Sequence, residues 1–155
     1  MSAQNCDLGW KFIVFQGASS LSLDAKGRLS VPTRHRDVLM ANASGQMTIT
    51  KHPHGCLIIY PRPEWDRVRG ELDKLPASGQ WLKRIYLGNA VDVEMDGTGR
   101  VLVSPELRQA AGLTRDVMLL GLGRSFELWD KETYEAKEAA AMQDNMSELM
   151  NQLSL

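Results

Sequence analysis

The motif Asp-x-x-Gly-Arg occurs twice in the chain, as Asp24-Ala25-Lys26-Gly27-Arg28 and as Asp96-Gly97-Thr98-Gly99-Arg100. Asp24, Gly27, Arg28, Val31 and Arg36 match Asp96, Gly99, Arg100, Val103 and Arg108 at a constant offset of 72. Further along the offset becomes 69, which sets Leu57-Ile58-Ile59-Tyr60 against Phe126-Glu127-Leu128-Trp129 and Trp65 against Tyr134. An internal repeat constrains the fold before any local assignment does, because each copy is one supersecondary unit. A chain of 155 residues holds two such units sharing a core.

Each copy predicts the same order of elements. An alternating strand comes first, with Leu21 and Leu23 in one copy and Val91, Val93 and Met95 in the other. The Asp-x-x-Gly segment is a tight turn: Gly supplies positive φ, and Asp accepts from the backbone two residues on. A second strand follows, Arg28 to Val31 and Arg100 to Val103. Pro32 and Pro105 open short helices, where the missing N–H of proline costs nothing, and Gly112 caps the second of them. Two more strands close each copy, Gln46 to Thr50 with Cys56 to Tyr60, and Val117 to Leu120 with Phe126 to Trp129. The expected fold class is therefore α+β, mainly β, with two tandem β-β-α-β-β halves and flanking helices. The halves are expected at 15–66 and 90–136, joined by a helical segment 67–89 and followed by a C-terminal helix and tail, 137–155. Residues 1–14 have no counterpart before the second copy and read as an extra N-terminal tail.

Trp65, Val68, Leu72 and Leu75 predict one face of a helix opened by Pro63, which Pro76-Ala77-Ser78-Gly79 breaks. Asp130 is the expected N-cap of the last helix. In that helix Met142, Met146, Leu149, Met150 and Leu153 make an apolar stripe at helical spacing, read first as core and second as a contact with a neighbouring subunit. Trp65, Trp81 and Trp129 sit among apolar neighbours and are expected in the core.

Net charge is −1, but it is segregated. Residues 22–36 carry Lys26, Arg28, Arg34 and Arg36 against Asp24 alone, whereas residues 127–155 carry seven acids against Lys131 and Lys137. In the second copy Thr98 and Glu106 stand where the first has Lys26 and Arg34. No apolar run is long enough for a membrane span, and the first residues do not read as a signal peptide. Two cysteines, Cys6 and Cys56, make neither a disulfide framework nor a zinc pattern. A reducing cytoplasm is the expected compartment.

Three enzymatic or ligand-binding readings fail on the sequence. His52-Pro53-His54-Gly55-Cys56 offers several metal ligands in a turn, but a further ligand and an orienting partner are not visible, so no metal is expected. Asp96-Gly97-Thr98-Gly99-Arg100 has the glycines of a phosphate loop without the Gly-Lys-Ser/Thr or the helix that must follow. No nucleophile with its base stands out, and no cofactor or small-molecule ligand is implied. Spacing alone leaves the repeated motif open between an Asp–Arg pair that clamps a turn and a site that uses its arginine.

The paired motifs, together with Phe15-Gln16-Gly17, the run Leu23 to Arg36, Tyr60-Pro61, Trp65 and Met95 to Arg100, resemble the MraZ family of bacterial transcriptional regulators, built from two SpoVT/AbrB-like modules. The resemblance covers about residues 15–145. It implies a pseudo-twofold barrel in which the halves swap hairpins, assembly of subunits into a ring, and a nucleoid-associated protein. The implied partner is double-stranded promoter DNA, at short repeated elements ahead of the division and cell-wall gene cluster. The family's DNA-contacting arginine falls on Arg28 and Arg100. Their planar fork of donors suits a phosphate or guanine O6 and N7, and Lys26 suits a phosphate. Arg34 and Arg36 cannot both point one way on a helix, so at most one, taken as Arg34, faces DNA. Asp24, Gly27, Asp96 and Gly99 are the expected structural frame of the turns. An AbrB-like scaffold whose main partner is protein is the alternative.

Overall fold

A computed structural model describes residues 14–153 of the chain; the expected tail lies outside them except for Val14. The strands are β1 (Phe15–Ser22), β2 (Arg28–Ser30), β3 (Gln46–Lys51), β4 (Leu57–Pro61), β5 (Val91–Glu94), β6 (Arg100–Leu102), β7 (Asp116–Gly123) and β8 (Phe126–Asp130). Helix α1 (Thr33–Ala43) follows β2. Helix α2 (Arg62–Asp73), a 3-10 turn (Ala77–Gly79) and α3 (Gln80–Tyr86) join the halves. Helix α4 (Pro105–Ala110) follows β6, and α5 (Lys131–Met142) and α6 (Ser147–Gln152) end the described chain.

Local chemistry explains the boundaries. The Asp130 side chain accepts from the Thr133 N–H at 3.1 Å, so it caps α5. Gly112, at φ +62°, follows α4. Its N–H donates to the Gln109 carbonyl at 3.1 Å, and the Leu113 N–H donates to that of Arg108 at 2.9 Å. These two bonds satisfy carbonyls that the helix end would otherwise leave bare.

The fold is mixed α+β, organised around a sheet in which the halves are interleaved. Six strands run in the order β1-β7-β8-β4-β3-β5, and β2 and β6 form a separate two-stranded ribbon. Every pairing is antiparallel, and β1 of the first half pairs with β7 of the second, while β5 of the second pairs with β3 of the first. At the β1–β7 ladder Gly17 faces Gly121. A Cβ on Gly121 would come within 2.6 Å of the Gln16 backbone nitrogen, so only glycine allows this approach.

Hydrogen bonding does not close a barrel among the described residues. β2 and β6 are three residues each and pair only with each other, because the Asp-x-x-Gly turns break the ladder on either side. The ribbon still lies on the core: Leu29 and Val101 point under it, fully buried, against Val31, Val103, Ile59 and Phe126. β4 is buried on both faces, with Leu57 and Ile59 in this core and Ile58 and Tyr60 in a second cluster with Trp65 and Leu72 from α2. Burying each such aliphatic or aromatic side chain stabilises by about 1.5–3 kcal/mol.

Two core expectations are corrected. Trp65 and Trp129 are buried, but Trp81 is 72 % exposed, with the Arg84 guanidinium 4.7 Å above its ring. The apolar stripe of the last helix is not core. The helix ends at Met142, α6 restarts at Ser147, and Met142, Met146, Leu149, Met150 and Leu153 are all exposed. Tyr134, near the start of α5, packs on Trp129 with ring centroids 5.8 Å apart, whereas the stripe beyond it stays exposed among the described residues.

Candidate nucleic-acid interface

The two turns have the same internal wiring. Gly27 and Gly99 adopt φ +82° and +80° and donate their N–H groups back to the carbonyls of Asp24 and Asp96. Asp24 Oδ1 accepts from the Lys26 and Arg28 amides, both at 2.9 Å, and Oδ2 accepts from Arg28 Nε at 2.7 Å. Asp96 Oδ1 accepts from the Thr98 and Arg100 amides at 2.9 Å and from the Thr98 hydroxyl at 2.8 Å. Its Oδ2 accepts from Arg100 Nε at 3.0 Å. The Arg28 amide, ahead of its side chain, holds the Asp24 carboxyl below the usual carboxylate range. The Arg100 amide and the Thr98 hydroxyl do the same to Asp96, more strongly.

Each Asp therefore shapes its turn and fixes the direction of its Arg through Nε. The Nη groups of Arg28 and Arg100 make no hydrogen bond among the described residues, and about a third of each side chain is exposed. The clamp and the usable arginine are two properties of one arrangement: Asp takes one edge of the guanidinium and leaves the forked end for another partner.

The ribbon brings the two arginines together. Arg28 pairs with Leu102, Leu29 with Val101, and Ser30 with Arg100. Leu29 and Val101 point inward, so Arg28, Ser30, Arg100 and Leu102 share the outward face by strand alternation. Arg28 and Arg100 occupy diagonal corners of this face. Ser30 and Leu102, the latter 50 % exposed, occupy the others. Ser30 shares a strand face with Arg28, and Leu102 with Arg100, but the β2–β6 pairing is what also sets each of them directly opposite the other arginine.

Around the ribbon, Lys26 is exposed in the first turn. Arg34 and Arg36 part company as helix geometry requires. Arg34 stays on the surface, with Nη2 donating to Ser19 Oγ at 2.7 Å across β1. Arg36 turns inward, with Nη2 donating to the Val31 carbonyl at 2.8 Å. Arg108, its repeat equivalent, donates through Nε to the Val103 carbonyl at 3.0 Å.

Arg115 is a further exposed cation that the sequence did not single out. It borders one recess with Asp24 and Arg108, and its carbonyl accepts from the Leu23 N–H at 2.8 Å. The equivalent bond in the other half runs from the Met95 N–H to Gly45. An arginine thus flanks the first turn where a glycine flanks the second.

No helix among the described residues is long and apolar enough to cross a membrane. A family model described as MraZ protein, putative antitoxin-like, matches residues 14–80 and again 86–153. The chain is 70% identical over 141 residues to "Transcriptional regulator MraZ" of Acidovorax sp. (strain JS42), covering 91% of this chain and 99% of that protein. It is 71% identical over 136 residues to the protein of that name in Variovorax paradoxus (strain S110), covering 88% of this chain and 96% of the relative. With the protein of that name in Paraburkholderia phytofirmans (strain DSM 17436 / LMG 22146 / PsJN), identity is 63% over 137 residues, 88% of this chain and 96% of that one. With both repeats matched and relatives this similar over nearly their whole length, the chain belongs to the MraZ family.

Proposed function

We propose that the chain is a non-enzymatic, sequence-specific DNA-binding regulator of transcription. It acts from the cytoplasm on the nucleoid, at short repeated elements in the promoter ahead of the division and cell-wall gene cluster and of its own gene. The reading rests on one observation above the others: the outward face of the β2–β6 ribbon carries Arg28 and Arg100, each aimed by its own Asp. A two-stranded ribbon fits the major groove, and an arginine fork pairs with guanine O6 and N7 there. Lys26 serves a phosphate, and Arg34, exposed and held by Ser19 of β1, is a further candidate for one. The similar proteins' shared name, transcriptional regulator, supports the same reading.

In this proposal residues 15–66 and 90–136 act as one swapped-hairpin unit, held by the connector 67–89, and residues 137–155 serve assembly. One subunit of net charge −1 attracts DNA poorly, so several ribbons aligned on a ring raise the effective concentration for a second contact. The exposed stripe from Met142 to Leu153 favours the second reading, a scaffold whose main partner is protein.

Fluorescence anisotropy with the chain's own upstream promoter and a shuffled duplex separates the two. The proposal expects the promoter to bind tighter by about a thousandfold or more. Equal affinity for the two duplexes rejects sequence-specific binding and leaves the scaffold.

A further inference from the structure

We propose that His52, Cys56 and Glu127 form a binding site for a divalent transition-metal ion of the zinc class, which ties the first half of the chain to the second. One ring nitrogen of His52, the Cys56 sulfur and one Glu127 carboxylate oxygen all lie within 4.8 Å of one another. Ligand atoms around a tetrahedral zinc stand roughly 3.3–3.8 Å apart, given metal–ligand bonds of about 2.0–2.3 Å. A small closure of three side chains meets that requirement.

The register explains why these residues meet. Ile58 of β4 pairs with Glu127 of β8, so Cys56, two residues earlier, shares the face of Glu127 and lies diagonal to it. His52 comes back over the same spot because the turn between β3 and β4 folds tightly. Its N–H donates to the Cys56 carbonyl at 3.0 Å, and Gly55 adopts φ +94°. The sequence offered the turn's ligands but hid Glu127, which belongs to the other half.

The site also has the orienting partner that the sequence could not reveal. Trp129 Nε1 donates to Glu127 Oε1 at 2.9 Å, fixing the carboxylate and leaving its other oxygen for an ion. His52 is held by the His54 amide, which donates to Nδ1 at 3.1 Å, and by an edge-on contact with the His54 ring, centroids 4.7 Å apart. Cys56 is 2 % exposed, His52 and Glu127 are half-buried, and His54 is exposed beside them. The fourth position is thus open to water or to the His54 ring.

A thiolate, an imidazole and one carboxylate select zinc, cobalt or nickel over magnesium or calcium, whose preference is for oxygen alone. On binding, the Cys56 thiol releases its proton to solvent as the metal–sulfur bond forms. If His52 binds through Nε2, its ring proton moves to Nδ1 and the His54 amide bond is given up. No electron moves. The ion stands outside the DNA-facing ribbon and is a staple across β4 and β8.

The test uses the full chain freed of metal by a chelator and titrated with Co²⁺ and then Zn²⁺. One Co²⁺ per chain is expected, with a thiolate-to-cobalt charge-transfer band and the intense visible bands of a tetrahedral ion. Zn²⁺ is expected to displace it and raise Tm. C56S should remove the charge-transfer band, and E127Q, which keeps an acceptor for Trp129, should weaken Co²⁺ binding at least tenfold. Circular dichroism of both variants establishes that they are folded. Absence of the band in the wild type, Co²⁺ binding unchanged in E127Q, or a wild-type Tm indifferent to Zn²⁺ overturns the proposal. Binding carried only by exposed imidazoles shows no band in the wild type and is equally tight in C56S, and it also overturns the proposal.

Discussion

Arg36 covers Gly99. A Cβ on Gly99 would overlap the Arg36 guanidinium, and the Val31 N–H beside it donates to the Gly99 carbonyl at 2.9 Å. The other half repeats the relation: Arg108 covers Gly27, and the Val103 N–H donates to the Gly27 carbonyl at 3.0 Å. Each turn is therefore closed by the helix of the opposite half.

Gly99→Ala should be costly twice over. The backbone sits at φ +80°, where an L residue costs roughly 1–2 kcal/mol, and the new methyl must also displace Arg36. Gly97→Ala in the same turn has no neighbour within 4 Å and should be nearly neutral. Urea midpoints of the two variants check this; equal midpoints would count against the packed turn.

For DNA, Arg28→Ala should weaken promoter binding by about 1–3 kcal/mol for each guanine it reads. Arg100→Ala should lose less, because Lys26 and Arg115 flank only the first turn. Lys26→Ala should weaken promoter and random duplexes alike and lower the salt slope by about 1. Anisotropy titrations across a salt series measure all three, and equal losses at Arg28 and Arg100 reject the asymmetry.

The turns also make stability depend on acid. Asp24 and Asp96 are held below the ordinary value of 3.8, so the folded state binds fewer protons than the unfolded chain in that range. Their contribution is present above 3.8 and is lost as pH falls through the folded values. Asp24→Asn and Asp96→Asn should be less stable than the wild type near neutrality. The gap should close in acid, at lower pH for Asp96 than for Asp24. Chemical denaturation at a series of pH values tests it; a gap that is independent of pH contradicts the depressed carboxylates.

The exposed stripe predicts assembly without DNA. Light scattering at micromolar concentration should report a stable oligomer, and the double variant Leu149→Glu, Met150→Glu should reduce it to smaller species while circular dichroism is unchanged. A monomeric wild type rejects this.

Subunits that read neighbouring elements must meet the same groove on the same face. Promoters carrying two or three elements should bind more tightly than one, and half-turn insertions between elements should remove the gain. Indifference to the insertions rejects adjacent reading on one face.

The repeat made most of this legible. Offset 72 located both turns, and each Asp accepts from the amide two residues on, as its chemistry predicts; it also accepts from the amide four residues on, which that rule does not include. Arg36 and Arg108 were visible as a matched pair, but their target was not, since each closes a turn far away in sequence. Arg115 was hidden for the same reason, as were the cross-strand places of Ser30 opposite Arg100 and of Leu102 opposite Arg28. The methionine stripe misled because helical spacing reports an apolar face without saying what covers it, and Trp81 misled because its ring finds Arg84 instead of the core.

The exchange of β1 and β5 between halves has a consequence for how the copies can differ. Neither half holds a complete sheet, so neither is expected to fold as a separate polypeptide, although the two mixed together should recombine. Inside, a change in one copy is felt at once by the other, as Arg36 is by Gly99. Outside, Lys26 and Thr98 touch no such shared joint. Divergence between the copies is therefore channelled to the surface, where one turn can specialise while its twin keeps the scaffold whole.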